Sequence, residues 1–362
     1  MTTKLLALFS LIFAGTALQA QYVSLSQKEI SKLQQQLSAD PEVKKLYDKF
    51  QRTAAQALTE APQPIDTIRT EGLLQGHPKK TATALALRDI PKIYALALVY
   101  RVNHDKQYLQ QAGTFLKAWA TYNIPNGDPI DDTNLDGAIE AYDLLKEALP
   151  PADAAIIRKW LQQTAEAEIN GPSNRPARST SYNNWHSHRL KIIGEIGYAI
   201  GDTALQTYTI EGLKKQVERN LNADGSSIDF QSRDALHYHV YDLEPLLKLS
   251  ILLQRATGVN YYTYQSPTTS SIQKSVDWVL PYVSGGKTHP EFVLSTVKFD
   301  KERANNHEAG YQPGTLFNPR NGLSTLLLAD YFDPNMLPAA QKLLGTDSPY
   351  PSWQSVLNAL KK

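Results

Sequence analysis

Residues 84–103, "ALALRDIPKIYALALVYRVN", carry apolar side chains on every side of a helical projection. A helix of this kind is stable only when other helices surround it. The segments around it have the spacing to do so. Apolar residues recur at steps of three and four over residues 26–58, 106–123, 135–149 and 152–169, with charged residues between them.

The same spacing continues in the second half of the chain, over residues 187–202, 203–221, 241–258 and 271–283. Segments rich in Pro, Gly and Asn separate the helical patterns, such as "IPNGDP" (124–129), "LPPAD" (149–153), "NGPSNRP" (170–176) and "NADGSS" (222–227). Alternating β-branched runs are nearly absent. The sequence therefore predicts an all-α protein built of helical hairpins.

Hairpins repeated this often must bury apolar faces on both sides, which an α/α toroid or an open solenoid achieves. We predict the toroid, an incomplete α/α barrel. No linker divides the chain, so residues 21–362 are predicted to form a single toroid domain. The longest irregular segment, 288–319, is predicted to be a functional or capping loop.

The first twenty residues, "MTTKLLALFSLIFAGTALQA", are typical of a signal peptide. Lys4 precedes an apolar run of secretory length, and small residues lead to a cleavage point after Ala20. An uncleaved anchor is the alternative, although the run is short for a membrane span. We expect a bacterial protein that is periplasmic or secreted and does not contact the membrane after cleavage.

Composition excludes several classes of protein. The 362 residues contain no cysteine, which excludes disulfides, thiolate catalysis and cysteine-bound metal. The net charge of +1 gives no long-range signal for nucleic acid or membrane binding. An acidic substrate would therefore need positive charge concentrated in a cleft. The oligomeric state is left open.

Two short segments hold half of the eight histidines: "SYNNWHSHRLK" (181–191) and "RDALHYHVYDLEPL" (233–246). The first leads into an apolar helical pattern at Leu190, which places its polar residues at the N-terminal mouth of a helix. Free N–H groups and the helix dipole favour an anion there. The plain alternative is an Asn N-cap with surface histidines.

The two His-x-His pairs also allow a metal site, but we do not favour one. On a helix, residues two apart point about 200° away from each other, and no acidic residue has the spacing of a zinc protease motif. No metal or other cofactor is therefore predicted. In the second segment, Tyr238 and Tyr241 share a helical face, whereas His239 points elsewhere.

Asn, His, Arg and Tyr without a pair of catalytic carboxylates suit β-elimination from a uronic acid better than hydrolysis. The C5 proton of a uronate becomes removable only when the adjoining carboxylate is neutralised by hydrogen-bond donors or cations. A tyrosine can then take the C5 proton and protonate the departing O4, provided that a nearby cation lowers its pKa.

The motifs "NNWHSHR" (183–189) and "DGSSIDFQSRDALHYHVYDLEPL" (224–246) resemble those of the alginate lyase superfamily. Their residue pattern looks closer to a sister branch that includes lyases of alginate and glucuronan. Weaker similarity extends over most of residues 70–305, including "EFVLSTVKFDKERA" (291–304). The resemblance implies a toroid that cleaves an acidic polysaccharide by β-elimination.

The resemblance also implies site residues. Tyr238 matches the catalytic tyrosine, His186 the histidine before Ser, and Asn184 the carboxylate-binding asparagine once Trp185 is treated as an insertion. The family's arginine position is Gln231 here, and Arg233 is the nearest substitute. The predicted catalytic set is therefore Tyr238, His186, Asn184 and Arg233.

Further residues are predicted to contact substrate: Asn183, Trp185, His188, Arg189, Tyr241, His239 and Arg88. Trp185 would stack on a sugar face. Arg88 lies in a mostly apolar segment, and its alternative is a structural ion pair with Asp89 or a later acid.

Two other functions are compatible with the sequence. The first is a glycoside hydrolase on the same toroid, using carboxylates of residues 127–143 such as Asp131 and Asp143. The second is a non-catalytic protein that binds acidic glycans. The sequence does not choose among mannuronate, guluronate and glucuronate, which differ at single stereocentres, nor between endo and exo action.

Overall fold

The computed structural model describes residues 22–361, so the predicted signal peptide lies outside the described part. The described residues form helices and two isolated β-bridges, without a β-strand, which confirms the all-α prediction. The helices are α1 (Gln27–Ala39), α2 (Pro41–Ala57), α3 (Pro78–Ala86), α4 (Asp89–Asn103), α5 (Lys106–Tyr122), α6 (Pro129–Asp132), α7 (Asp136–Leu145), α8 (Pro151–Asn170), α9 (Asn184–Ile200), α10 (Thr203–Asn220), α11 (Ile228–Arg233), α12 (Leu236–Thr257), α13 (Ile272–Val283), α14 (Lys298–Asn305), α15 (Leu323–Ala329), α16 (Met336–Leu344) and α17 (Trp353–Leu360).

Burial divides these helices into two layers. In α9 every residue except Trp185 and His186 is buried, and α4, α7 and α12 are also buried over most of their length. By contrast, α5, α8 and α10 bury one face and expose the other. The first group forms the inner layer of a toroid, and the second group forms the outer layer.

The inner helices run in the same direction. Asp136, at the start of α7, forms an ion pair with Lys191 in the first half of α9. Near the other end of both helices, the Lys146 ammonium donates a hydrogen bond to the carbonyl of Ala199 at 3.2 Å. The starts of α4 and α7 also lie together, as do their ends, and the start of α9 contacts the start of α12. The N-terminal ends of the inner helices therefore meet at one face of the toroid.

The segment 22–24 crosses the opposite face, where the inner helices end. Asp143 of α7 accepts hydrogen bonds from two backbone N–H groups of this segment, each at 3.1 Å. Arg255, near the end of α12, donates to two backbone carbonyls of the segment and pairs with Glu29 at 2.7 Å. The segment therefore ties α7 to α12 across the toroid.

Two sequence-based boundaries differ from the structure. The helix predicted to begin at Leu190 begins at Asn184, because the Asn183 side chain accepts a hydrogen bond from the Trp185 backbone at 3.1 Å and caps it. The segment 288–319, predicted to be irregular, contains α14. None of the helices within residues 22–361 is long and apolar enough to span a membrane.

The tie made by Arg255 gives a prediction about stability. Arg255→Ala should lower the free energy of unfolding by about 2–3 kcal/mol, because two backbone carbonyls and the Glu29 carboxylate lose the guanidinium, and Glu29 keeps only its hydrogen bonds from Ser26. Lys44→Ala, which breaks the exposed pair with Asp48, should change it by less than about 0.5 kcal/mol. Urea unfolding followed by circular dichroism measures both values, and equal effects would contradict this account of the segment.

Candidate active site

A cleft opens at the face where the inner helices begin. Residues from α9, α11 and α12 form its floor, and residues from two distant segments, near 71 and near 303–311, form its walls. The cleft is lined by Glu71, Ile130, Asn184, Trp185, Arg233, His237, Tyr238, Tyr241, Arg303 and Tyr311. Of the predicted site residues, it brings together Tyr238, Asn184, Arg233, Trp185 and Tyr241.

Tyr238 lies between two arginines. The Arg303 guanidinium donates a hydrogen bond to the Tyr238 hydroxyl oxygen at 2.5 Å. The Arg233 guanidinium carbon lies 3.8 Å from the centre of the Tyr238 ring, within the range of a cation–π contact. Burial raises the pKa of Tyr238 well above its usual range, and the two arginines act in the opposite direction.

Arg233 and Tyr238 owe their positions to a break in the chain. Asp234 adopts a left-handed conformation (φ 48°) that ends α11, and α12 begins at Leu236. Arg233 is then held by an ion pair with Asp300, just inside α14. The turn folds the guanidinium back over the tyrosine ring.

Asn184 is fixed from below. Its backbone N–H donates to Asp229 at 2.9 Å, and its side-chain amide donates to the other oxygen of the same carboxylate. Asn220 of α10 donates to Asp229 as well, at 2.8 Å. Burial raises the pKa of Asp229, while these amide donors lower it. The network leaves Asn184 at the floor of the cleft, only 2% exposed.

His186 does not line the cleft. Because α9 begins at Asn184, successive residues turn by about 100°, and the side chain two positions later faces the opposite side of the helix. His186 instead lies in an outer recess against α10, beside Gln216 and Arg219. Burial and the nearby Arg189 and Arg219 lower the pKa of His186 to about 3. His186 and Tyr238, which were predicted to act together, therefore line different recesses.

His188 lies one layer below the cleft. It is 4% exposed, its Nδ1 atom lies 3.0 Å from the Thr133 hydroxyl, and its ring centre lies 4.5 Å from that of Tyr241. His188 therefore supports Tyr241 from beneath rather than reaching the cleft itself. Asn183 serves as the N-cap of α9.

Three predicted substrate contacts lie away from the cleft. Arg189 is fully buried in an ion pair with Glu168 at 3.3 Å, because its position in α9 faces α8. His239 is fully buried, with its ring nitrogens 3.0 Å from the Ser227 hydroxyl and 3.1 Å from a backbone carbonyl. Arg88 is exposed at the start of α4 and does not line the cleft.

Five residues of the cleft were not among the predicted site residues: Glu71, Ile130, His237, Arg303 and Tyr311. Arg303 lies within "EFVLSTVKFDKERA", whose weak family similarity was the available signal. His237 adjoins the catalytic tyrosine position, but the family resemblance matches no site residue to it. Tyr311 lies in the segment 288–319, which is predicted to be a functional or capping loop, whereas Glu71 lies in a segment without a recognised pattern.

The carboxylates of the hydrolase alternative do not form a pair in the cleft. Asp131 is 1% exposed and accepts hydrogen bonds from the backbone of residues 70–71. Asp143 is fully buried at the far end of α7, where it holds the N-terminal segment. Among the described residues, no cluster of three His, Asp or Glu side chains is placed to hold a metal ion.

Comparison with known proteins agrees with this architecture. A family model described as alginate lyase matches residues 26–289 of the chain. No curated protein matches it. Among solved structures, the chain is similar to an alginate lyase from Bacteroides ovatus, with a TM-score of 0.69 and 16% identity, covering 93% of this chain and 98% of that one.

The chain is also similar to alginate lyase A1-III from Sphingomonas species A1, with a TM-score of 0.58 and 19% identity over 87% of this chain and 97% of that one. A variant of A1-III complexed with a tetrasaccharide matches with a TM-score of 0.56 and 19% identity, over 87% and 96%. These likenesses confirm the α/α toroid.

The fold and the family match define a class of enzyme: this protein is a polysaccharide lyase. More closely, the chain belongs to the alginate lyase family, whose model covers most of its length.

The hydrogen bond from Arg303 to Tyr238 gives a prediction about catalysis. Arg303→Lys should lower kcat/KM by about 100-fold, because an ammonium does not reproduce the directed guanidinium hydrogen bond to the phenol oxygen. Arg320→Lys, the same change at an exposed position, should leave kcat/KM unchanged. Steady-state kinetics on the polymer that the enzyme cleaves measures kcat/KM for both variants. Equal values for the two would contradict a role for Arg303.

Proposed function

We propose that this protein cleaves a uronate-containing polymer, namely alginate, polymannuronate or glucuronan, by β-elimination. The observation that carries the proposal is the environment of Tyr238: one guanidinium on its hydroxyl and another on its ring, in a cleft that also presents an amide. Relatives of the same fold complexed with tetrasaccharide support a polysaccharide substrate.

Each residue has a distinct task in this reaction. Asn184 and the two arginines neutralise the charge on the carboxylate of the sugar, so that the C5 proton becomes acidic. Tyr238 then acts as the base that takes the C5 proton. As the C4–O4 bond breaks and the C4–C5 double bond forms, Tyr238 returns a proton to O4. This chemistry requires no cofactor.

Aromatic side chains would hold the sugar rings. Trp185, Tyr241 and Tyr311 line the same cleft as Tyr238, and aromatic faces pack well against the apolar faces of sugars. We also propose export to the periplasm or the medium, supported by the signal-like residues 1–20. The terminal sequence of the mature protein, read from a bacterial periplasmic fraction, tests cleavage after Ala20.

The product distinguishes the possible reactions. Elimination creates a C4–C5 double bond conjugated with the carboxylate, so alginate blocks or glucuronan should yield near-ultraviolet absorbance as chain length falls. Hydrolysis would shorten the chains without that absorbance. A screen over mannuronate blocks, guluronate blocks, glucuronan and hyaluronan ranks the substrates, and the absence of absorbance on all of them would refute β-elimination of uronates.

Tyr238→Phe should lower kcat by at least about 10³-fold while substrate affinity stays within a few fold, because only the proton-transferring hydroxyl is removed. Tyr264→Phe, at a tyrosine outside the cleft, serves as the matched control. A protein that only binds acidic glycans would show affinity in both variants and no turnover in either, nor in the wild type.

The pKa of Tyr238 predicts the pH dependence of kcat. Because burial raises that pKa, the phenol is protonated at neutral pH, and the phenolate base becomes more abundant as pH rises. kcat should therefore increase from pH 6 toward alkaline pH, with a slope of about one in a logarithmic plot. A kcat that falls over this range would exclude Tyr238 as the base.

A further inference from the structure

With His186 and His188 outside the cleft, His237 is the imidazole among the described residues that line it. Its backbone N–H is engaged by Glu291, but neither ring nitrogen makes a hydrogen bond to a described residue. Both nitrogens therefore remain available to a ligand in the cleft.

The His237 ring is held in place by aromatic neighbours. Its plane lies edge-on to Tyr238 and to Tyr311, with centroid distances of 5.0 and 5.8 Å. It is parallel to Tyr241, at 6.5 Å and an interplanar angle of 5°. Because packing already orients the ring, a ligand loses little free energy in ordering it.

The backbone of His237 is fixed as well. The N-cap residue of α12 is Ala235, which has no side-chain acceptor for the free N–H groups of the first turn. The Glu291 carboxylate, 3% exposed, accepts from the His237 N–H at 3.3 Å and takes over this task. The turn that carries His237 and Tyr238 is thus anchored by a buried carboxylate from a distant segment.

We propose that His237 is the residue whose imidazole binds the carboxylate of the uronate at the point of cleavage. The inference rests on the proposed β-elimination and gives His237 the position that family resemblance assigned to His186. It follows from three observations: His237 lies beside the tyrosine that is proposed to transfer protons, its ring is oriented, and its nitrogens are available.

The charge of His237 should change when substrate binds. Burial, together with Arg303 and Arg233, lowers its pKa to about 4, so the free imidazole is neutral at pH 7. The titratable and charged groups facing it are Arg233 of α11, Tyr238 and Tyr241 of its own helix, Arg303 of α14, Tyr311 and Glu291 of the adjoining segment, and Glu71 of the opposite wall.

A bound carboxylate offsets the two arginines and raises the pKa of His237. Since the complex then holds a proton more firmly than the free protein, affinity should rise as pH falls from about 8 to about 5, with uptake of protons on binding. In the free protein the imidazole itself becomes charged only near pH 4.

Calorimetric titration with an alginate tetrasaccharide tests this in the Tyr238→Phe background, where the ligand stays intact. His237→Ala in that background should weaken binding by about 10-fold or more at pH 6, the usual effect of losing a hydrogen bond to a charged group. His237→Gln keeps a donor but does not titrate, so the rise in affinity at low pH and the proton uptake should disappear.

His186→Gln is the matched control variant, since His186 is a second histidine with a lowered pKa. It should bind with wild-type affinity and keep the pH dependence. Wild-type behaviour of both His237 variants, with weakened binding by His186→Gln, would overturn the inference. If the wild-type protein forms unsaturated product and the His237 variants bind normally, the role of His237 is refuted and the proposed β-elimination stands. If no uronate polymer yields unsaturated product, the proposed function itself is refuted.

Discussion

The parallel course of the inner helices is the constraint on which the rest of the structure depends. Contacts at both ends of α7 and α9 fix that direction, and nearly all of α9 is buried against its neighbours. Helices that begin at one face bring their free N–H groups and positive dipole ends together. At this face the N–H groups of Asn184 in α9 and His237 in α12 are bound by the buried carboxylates of Asp229 and Glu291.

The walls of the cleft are formed by segments outside the inner helices. The segment near residue 71 and the segment around α14 meet, where the Gln75 N–H donates to the Glu308 carboxylate at 2.7 Å and the Asn306 amide donates to the carbonyl of Gln75 at 3.2 Å. The second segment provides Arg303 to the phenol of Tyr238. The hydrogen bond to the Tyr238 hydroxyl thus depends on a contact between residues 65 positions apart.

Buried carboxylates hold the floor of the cleft. Asp229 binds Asn184, and Asp242 accepts a hydrogen bond from the Ser187 hydroxyl at 2.6 Å. Burial raises the pKa of both acids, which shows that their desolvation is only partly offset by donors. We interpret this costly network as the means by which α9, α11 and α12 keep a fixed register beneath the cleft.

The sequence by itself determined the helical class and the order of the helical segments, because apolar spacing is read within a few residues. Through the family resemblance, its local motifs also singled out Tyr238 as the candidate catalytic tyrosine. It also brought Asn184, Arg233, Trp185 and Tyr241 to notice. The exclusion of His186 and the place of Arg303 were decided only by the tertiary structure. The first depends on where the cap starts α9, since a shift of one residue turns a side chain by about 100°. The second depends on a contact between distant segments, which no local pattern encodes.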